Sequence, residues 1–256
     1  MKDQFLSVEK LVVGYGKTPI VKNIQFGLNE GELCGIVGIN GIGKSTLLRT
    51  LAQLQPKLQG EISIRQNKLT ALSSQELAKS ISVVLTDPIA TRNLTVLELI
   101  ALGRQPYTNW MGRLNANDIT KINECLQLFQ IDALKGKKCY ELSDGQLQRV
   151  LIARAMAQDT PIIMLDEPTT HLDLYHKVHI IKLLKDLAHD FRKTILFTSH
   201  EIELAIQLCD KILILDSAEN PFGTTAELID KGSFTRLFPH EVVQFDPNSG
   251  TFKISK

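Results

Sequence analysis

The spacing of hydrophobic and polar positions changes several times along this chain, and each change predicts a different kind of secondary structure. Residues 5–26 alternate short β-type runs with glycine and proline turn positions, a pattern that predicts antiparallel strands. Residues 32–37, ELCGIV, form an apolar run that passes through glycines into a helix-like stretch beginning near Lys44. That pattern predicts a strand, a loop and a helix.

The middle of the chain, residues 94–157, has the pattern of helices. Between Asp118 and Phe129, apolar residues recur at intervals of three and four, which places them on one face of a helix. These residues are Ile119, Ile122, Leu126 and Phe129.

Strands and helices alternate from residue 162 onward. The apolar run IIML precedes a helix predicted from about Leu174 to His189, and TILFTS precedes a second helix that ends at Leu208, before the run KILIL. Apolar strands separated by helices of this length are typical of a parallel sheet covered on both faces. Residues 243–256 then predict a strand pair around a PNSG turn, to which no function is assigned.

Together these patterns predict one α/β domain over residues 1–256. Its core comprises residues 1–93 and 158–256, with a mostly parallel sheet and an N-terminal antiparallel β subdomain. The helical subdomain at residues 94–157 is inserted into that core.

Composition and charge narrow the class of protein. The chain has 43% hydrophobic and 22% charged residues, and 29 basic against 28 acidic side chains leave a formal net charge of +1. A nucleic-acid binder usually has a basic excess, so no nucleic-acid partner is expected. The four cysteines form no CxxC pair, which indicates neither a zinc site nor a disulfide framework.

The N-terminal residues MKDQFLSVEK lack the apolar stretch of a secretion signal. No window of the sequence approaches the roughly 20 apolar residues of a membrane-spanning helix. We therefore expect a cytoplasmic protein that contacts a membrane only through another protein.

Residues 38–46, GINGIGKST, match the GxxxxGK[ST] phosphate-binding loop, directly after a predicted strand and before a predicted helix. Its glycines let consecutive N–H groups point at phosphate oxygens. Lys44 would reach the β and γ phosphates of a nucleotide, Ser45 would place its hydroxyl on Mg²⁺, and Thr46 would lie near the phosphates. The loop alone leaves kinases, GTPases and transport ATPases open. The predicted nucleotide-binding residues of the loop are Gly38, Asn40, Gly41, Gly43, Lys44, Ser45 and Thr46.

Two carboxylates end the apolar run IIMLDE, where a buried strand would emerge at its carboxyl end. Asp166 would hold Mg²⁺ through water, and Glu167 would polarise the attacking water as a general base. His200 follows TILFTS at another strand end and could contact the γ phosphate or that water. The predicted catalytic residues are therefore Lys44, Glu167 and His200. The alternatives are acids that only cap the next turn and a structural histidine.

LSDGQ, residues 142–146, begins a predicted helix, because Ser143 followed three residues later by Gln146 is a capping box. The segment would begin a helix whether or not it binds a ligand. Yet LSDGQ lies about 20 residues before IIMLDE, with QRVLIARAM between them. This arrangement resembles the signature motif of ABC-type ATPases, and the likeness extends over nearly the whole chain.

The resemblance implies a head-to-tail dimer, in which ATP on the phosphate loop of one copy meets the signature helix of the other. An aromatic residue in the GYG segment would stack on adenine, and the TTHLD segment would lie at the dimer junction. Ser143 and Gly145 would donate hydrogen bonds to the γ phosphate, and His200 would be the switch histidine. The binding residues that the resemblance adds are Tyr15, Ser143, Gly145, Gln146 and Asp173.

The resemblance also implies ATP and Mg²⁺ as cofactors and a multi-helix membrane permease as partner, at the inner face of the plasma membrane. LTVLELIALGRQPYTNW, residues 94–110, resembles the importer branch for iron-siderophore, haem or cobalamin ligands. In that branch an extracytoplasmic binding protein is an indirect partner. The alternative for this segment is an ordinary amphipathic helix followed by a turn.

Two positions depart from the family pattern. Where the family has a glutamine that contacts Mg²⁺ and the attacking water, this chain has Thr86 followed by Asp87. We hypothesise that Thr86, a third metal-site residue, weakens the link from nucleotide to permease, or that Asp87 substitutes for the glutamine. Asp144 stands where glycine is commonest, and we expect its carboxylate to point away from the nucleotide.

Three rival functions stay open at this stage. One is a soluble ABC ATPase with a role outside transport, although a single uninterrupted cassette favours transport. The second is an importer of another substrate class. The third is a module that senses nucleotide without hydrolysing it, which Glu167 and His200 argue against.

Overall fold

The computed structural model describes residues 4–87, 92–216, 219–238 and 242–254. Within these ranges the chain forms twelve strands and eight α-helices. The strands are β1 (Leu6–Tyr15), β2 (Thr18–Leu28), β3 (Leu33–Val37), β4 (Gln59–Ile64), β5 (Asn67–Lys68), β6 (Ile81–Val84), β7 (Ile162–Leu165), β8 (Thr194–Ser199), β9 (Lys211–Ile214), β10 (Phe222–Gly223), β11 (Val243–Asp246) and β12 (Thr251–Ile254). The helices are α1 (Lys44–Leu51), α2 (Ser74–Ser80), α3 (Val96–Ala101), α4 (Ala116–Leu128), α5 (Asp144–Ala157), α6 (Leu174–Phe191), α7 (Ile202–Leu208) and α8 (Thr225–Asp230).

Two sheets carry most of the strands. A four-stranded antiparallel sheet has the order β2-β1-β4-β5, and a six-stranded sheet has the order β10-β9-β3-β8-β7-β6. In the larger sheet β9, β3, β8, β7 and β6 are parallel, and the edge strand β10 runs antiparallel. The predicted fold class, an α/β core with a mostly parallel sheet and an N-terminal antiparallel sheet, is confirmed. Because β3, β8 and β7 are neighbours in register, the residues that follow them come out along one edge.

Side chains of the central strands alternate between two hydrophobic cores, as the two-residue period of a strand requires. In β3, Leu33 and Val37 face the core shared with α5 and α6, whereas Cys34 and Ile36 face the core shared with α1 and the antiparallel sheet. The same alternation recurs in β7 and β8. Both faces of the parallel sheet are therefore covered, which explains why its strands are continuous apolar runs.

The helices α3, α4 and α5 lie in the chain between β6 and β7. The predicted apolar face of α4 is correct for Ile122, Leu126 and Phe129, which are buried, but wrong for Ile119, which is 52% exposed. Asp118 is the buried residue of that turn, because its carboxylate caps the helix and pairs with Arg104. The division of the chain at residues 93 and 158 stays a prediction.

Several element ends differ slightly from those predicted. Helix α6 continues beyond His189 to Phe191 and ends where Arg192 adopts a left-handed conformation. Strand β9 ends at Ile214, one residue before the end of the KILIL run. The terminal strand pair around PNSG is present as β11 and β12. Among the described residues, no helix is long and apolar enough to cross a membrane.

Candidate active site

The phosphate loop connects β3 to α1, and its conformation depends on glycine. Gly41 and Gly43 have φ values of 80° and 109°, a region that residues with a Cβ rarely adopt. Gly43 is also the N-cap of α1 and supplies no side chain to the N–H groups of the first helical turn. Those N–H groups, together with the positive end of the helix dipole, therefore face the loop and can donate hydrogen bonds to an anion.

Lys44 lies inside this loop. Its side chain is 5% exposed, and Nζ donates hydrogen bonds to the carbonyl oxygens of Gly38 at 2.9 Å and Ile39 at 3.1 Å. Burial lowers the pKa of Lys44, and this effect outweighs the nearby carboxylates of Glu167 and Asp166, which act to raise it. An ammonium group at the start of a helix suits a phosphate chain.

Asp166 connects the phosphate loop to the neighbouring strands. Its Oδ1 accepts hydrogen bonds from Ser45 Oγ at 2.9 Å and from Thr198 Oγ1 at 2.7 Å. The Thr198 hydroxyl also accepts a hydrogen bond from the backbone N–H of Glu167 at 2.8 Å. Thr198 thus holds both acidic residues, and sequence reasoning missed it. The available signal was a threonine near the end of an otherwise apolar strand, TILFTS.

Glu167 has a left-handed backbone, with φ of 45°. Its Oε2 accepts a hydrogen bond from Thr170 Oγ1 at 3.0 Å and lies 3.6 Å from His200 Nδ1. The other ring nitrogen of His200 lies 3.3 Å from Glu201 Oε1, and Lys177 binds that same oxygen. Adjacent acidic residues therefore make different contacts: Asp166 contacts the phosphate loop, and Glu167 contacts the histidine.

Tyr15 lies beside the start of α1. Its ring is 59% exposed, and its hydroxyl lies 3.3 Å from Thr46 Oγ1. An exposed ring next to the phosphate loop is available for stacking on a planar base.

The segment at residues 142–146 begins α5 with the predicted capping box. The backbone N–H of Gln146 donates to Ser143 Oγ at 3.3 Å, and the N–H of Ser143 donates to Gln146 Oε1 at 3.1 Å. Asp144 lines a cleft of about 230 Å³ together with Asp166 and Glu167 of its own chain. Whether Asp144 points away from a nucleotide on another copy stays a prediction.

The predicted site residues form two groups. Lys44, Ser45, Asp166 and Glu167 follow strands of the large sheet at one edge, and Tyr15, at the end of β1 in the four-stranded sheet, contacts Thr46 next to them. Within the described ranges, no hydrogen bond or ion pair joins the predicted signature and junction residues to the phosphate loop. One chain therefore presents a phosphate loop and a capped helix start, and Asp144 of that helix start shares a cleft with Asp166 and Glu167.

The two residues at the glutamine position have separate contacts. Thr86 Oγ1 donates a hydrogen bond to the backbone oxygen of Asp166 at 3.1 Å. Asp87 is ion-paired with Arg49 at 2.9 Å and is 65% exposed in its side chain. Thr86 is thus the residue of the pair that contacts the acidic strand end.

Comparison with known proteins identifies the family. The family model described as ABC transporter matches residues 21–170, more than half of the chain. The chain belongs to the ABC transporter family. This ABC ATPase is 41% identical over 211 residues to an uncharacterized ABC transporter ATP-binding protein of Methanocaldococcus jannaschii, covering 82% of this chain and 72% of that protein.

Two further relatives carry transport names. The achromobactin transport ATP-binding protein CbrD of Dickeya dadantii is 33% identical, with 91% of this chain and 87% of the relative covered. The iron(3+)-hydroxamate import ATP-binding protein FhuC of Bacillus subtilis is 35% identical, with 82% and 78% covered. Both are similar to the ABC ATPase over most of its length.

Solved structures support the same assignment. A metal-chelate type ABC transporter in an inward-facing conformation superposes with a TM-score of 0.81 at 29% identity, covering 98% of this chain and 95% of the other. A dimeric ATP-binding cassette in a post-hydrolysis state with ADP and Pi has a TM-score of 0.72 at 29% identity, covering 86% and 98%. The ABC ATPase therefore has the fold of cassettes that bind nucleotide.

Proposed function

We propose that this ABC ATPase binds and hydrolyses MgATP between two of its own copies and thereby powers import through a membrane permease. The observation that carries the proposal is the hydrogen bond between Ser45 of the phosphate loop and Asp166, with Glu167 as the next residue. These three side chains combine phosphate binding, a cation site and a base at one edge of the sheet.

The oxygen atoms of Ser45 and Asp166 suit Mg²⁺, which prefers oxygen ligands and keeps several waters. When bound, Mg²⁺ would neutralise charge on the β and γ phosphates. Thr86 is a third candidate near this cation, and it can act only through a water because its side chain is shorter than glutamine. This expectation fits the contact of the Thr86 hydroxyl with the backbone of Asp166.

Hydrolysis requires a water placed for in-line attack on the γ phosphate. Glu167 would polarise that water, because it lines the same cleft as Asp166, while Asp166 accepts the hydrogen bond from Ser45 of the phosphate loop. Lys44 would stabilise negative charge on the phosphates. His200, 3.6 Å from the Glu167 carboxylate, would orient the base and contact the γ phosphate.

The second half of each site comes from a second copy in this proposal. Ser143, Gly145 and Gln146 begin a helix whose N–H groups could bind a γ phosphate, and Asp173 begins another helix at the proposed junction. Among the described residues, no hydrogen bond joins these groups to the phosphate loop of their own chain, which supports a role toward another copy. The dimeric cassette of similar fold supports it further.

The transport partner and the ligand class are inferred from the relatives. Two of them are named for achromobactin transport and iron(3+)-hydroxamate import. We therefore infer that this ABC ATPase serves an importer of iron-siderophore or related haem or cobalamin-type ligands. It would bind a multi-helix permease at the inner face of the plasma membrane and depend indirectly on an extracytoplasmic binding protein. Its helical subdomain would span residues 94–157.

The decisive experiment compares three forms of the protein by sedimentation velocity with ATP and Mg²⁺. Glu167→Gln should form a stable dimer because it binds ATP without hydrolysing it, whereas wild type should dimerise only transiently. Lys44→Ala, the matched control, should stay monomeric because it has lost phosphate binding. A Glu167→Gln protein that stays monomeric, even with its permease present, would overturn the proposal.

The ligand class has its own assay. Cells that carry wild type or Glu167→Gln are tested for uptake of a ferric hydroxamate, haem and cobalamin as separate probes. We expect at least one probe to enter with wild type and not with Glu167→Gln. Equal uptake of all three probes in both strains would contradict the proposed ligand class while leaving the ATPase activity intact.

A further inference from the structure

The start of α6 holds a histidine in a fixed position. Asp173 is the N-cap of α6, and its Oδ1 accepts hydrogen bonds from the backbone N–H of His176 at 2.9 Å and from His176 Nδ1 at 2.8 Å. These two hydrogen bonds, the backbone one foremost, lower the pKa of Asp173. A carboxylate only accepts hydrogen bonds, so Nδ1 carries the hydrogen and the ring orientation is set.

The ring that Asp173 holds lies against the signature helix. A Cβ on Gly145 would come within 3.0 Å of His176 Cδ2, a distance at which one of the two groups must move. Gly145 lies in the first turn of α5 and has no left-handed φ. Within this chain, a side chain at residue 145 would therefore require the His176 ring to shift by a few tenths of an ångström.

The cap itself stabilises α6 through the backbone N–H of His176, but it does not require the ring contact. The side chains of His176 and Asp173 are 49% and 66% exposed, and a contact between side chains with such exposure adds little to fold stability. The contact instead joins the starts of α5 and α6, which would both contact the nucleotide of a second copy under the proposed function. Asp173 begins one of these elements, and Gly145 lies in the first turn of the other.

We propose that His176 is a positioning residue for the signature helix. Its imidazole, held by Asp173, supports Gly145 and sets the direction of the N–H groups in the first turn of α5. The α5 start and the α6 start therefore approach the second nucleotide as one rigid unit. The proposal rests on the proposed function, because positioning matters only if these N–H groups bind the γ phosphate of another copy.

The first test measures the positioning directly, without nucleotide. Amide hydrogen exchange is followed at Gln146 and Leu147, whose N–H groups donate to Ser143 Oγ and O at 3.3 and 2.8 Å. His176→Ala should speed exchange at both amides by about threefold or more, because the support of the turn is lost. Unchanged exchange in His176→Ala overturns the proposal.

His176→Asn is the conservative variant. The two atoms on the Asn Cγ superpose on Nδ1 and Cδ2 of histidine, so the amide N–H can donate to Asp173 while the amide oxygen fills the space beside Gly145. We therefore expect exchange as in wild type. His179→Ala is the matched control: His179 lies one turn later on α6, and its ring stacks on Tyr175 at 6.2 Å between centroids. Faster exchange in either variant, equal to that of His176→Ala, contradicts the assignment.

The second test measures function in the Glu167→Gln background. His176→Ala should raise the ATP concentration that half-saturates dimerisation about tenfold, whereas ATP binding by the monomer stays unchanged. His176→Asn should restore the parent value. Loss of ATP binding by the monomer would point to a general structural defect and contradict the proposal.

A double-mutant cycle completes the design. Gly145→Ala should weaken dimerisation on its own, because its Cβ meets the His176 ring. In the His176→Ala background, Gly145→Ala should raise the half-saturating ATP concentration by less than half as much on a logarithmic scale. An equal cost in both backgrounds overturns the steric argument. If the Glu167→Gln parent itself fails to dimerise, the proposed function fails, and the exchange experiment still decides whether His176 supports α5.

Discussion

Replacing Arg104 by methionine should strongly destabilise the protein. Arg104 belongs to the ALGRQP segment, and its side chain is 2% exposed. Its Nε donates to Asp118 Oδ1 at 2.9 Å, and its Nη1 donates to the carbonyl oxygen of Ala157 at 2.7 Å. The guanidinium also lies 4.0 Å from the centroid of the Tyr107 ring. This side chain therefore connects the 3₁₀ segment after α3 to both α4 and the end of α5.

The expected cost follows from what the substitution leaves behind. Asp118 is fully buried, and breaking a buried ion pair on one side costs about 3–5 kcal/mol, since it leaves an uncompensated charge. Burial acts to raise the pKa of Asp118, but the hydrogen bond from the Asn115 N–H and the Arg104 guanidinium outweigh it, so the pKa is lowered. This contribution to stability is present above the pKa of an unfolded aspartate and is lost as pH falls through the folded pKa.

Urea denaturation at neutral pH measures the free energy of unfolding. Arg104→Met should lower the free energy of unfolding by about 3–5 kcal/mol relative to wild type. In the double variant Arg104→Met/Asp118→Asn the decrease should be about 2 kcal/mol smaller, because no unpaired charge stays buried. Arg236→Met is the matched control, because its pair with Glu219 is exposed and should contribute less than about 1 kcal/mol. A loss for Arg104→Met as small as for Arg236→Met would refute the reasoning. An advantage of wild type that becomes no smaller below the folded pKa of Asp118 would also refute it.

Three further predictions concern the site and its supports. Thr198→Val keeps the shape of the side chain but removes the hydrogen bonds to Asp166 and from the Glu167 N–H. The ATPase kcat should fall about tenfold or more. An unchanged kcat would show that the hydroxyl is not needed. Thr86→Gln should change the stimulation of ATPase activity by the permease, and identical coupling would count against its proposed role. Gly103→Ala places a Cβ 2.3 Å from a backbone oxygen of α5. The urea midpoint should fall by an amount that corresponds to about 1–3 kcal/mol. Gly136→Ala is the control, because the space around residue 136 is open, and it should leave the midpoint nearly unchanged.

The ALGRQP segment both resembles a family motif and makes packing contacts in the fold. The residue pattern of the segment resembles the importer branch, and the alternative is an amphipathic helix followed by a turn. In the fold, Gly103 permits close contact with α5, and Arg104 forms the buried pair with Asp118. The segment is therefore a packing element of the helical region, and its pattern is required by contacts within this chain.

Local patterns determined much of this protein from the sequence alone. The phosphate loop, the capping box at Ser143 and Gln146, and the apolar strands of the sheet depend on residues within a few positions of one another, so their hydrogen bonds and burial can be inferred without the fold. The two-residue period of a strand also determines which of its side chains share one face of the sheet. The family resemblance rested on the same short segments.

Tertiary structure alone decided which of these segments meet. Thr198 reaches Asp166 because β8 pairs with β7, and strand order is not visible in any local pattern. The helical period places Ile119 on the apolar face of α4, because it cannot show that Arg104, fourteen positions before Asp118, pairs with that residue and buries it instead. The support of Gly145 by His176 likewise joins two helices far apart in the chain. In each case the deciding contact is long-range, and its partner is set by the packing of the sheet and helices.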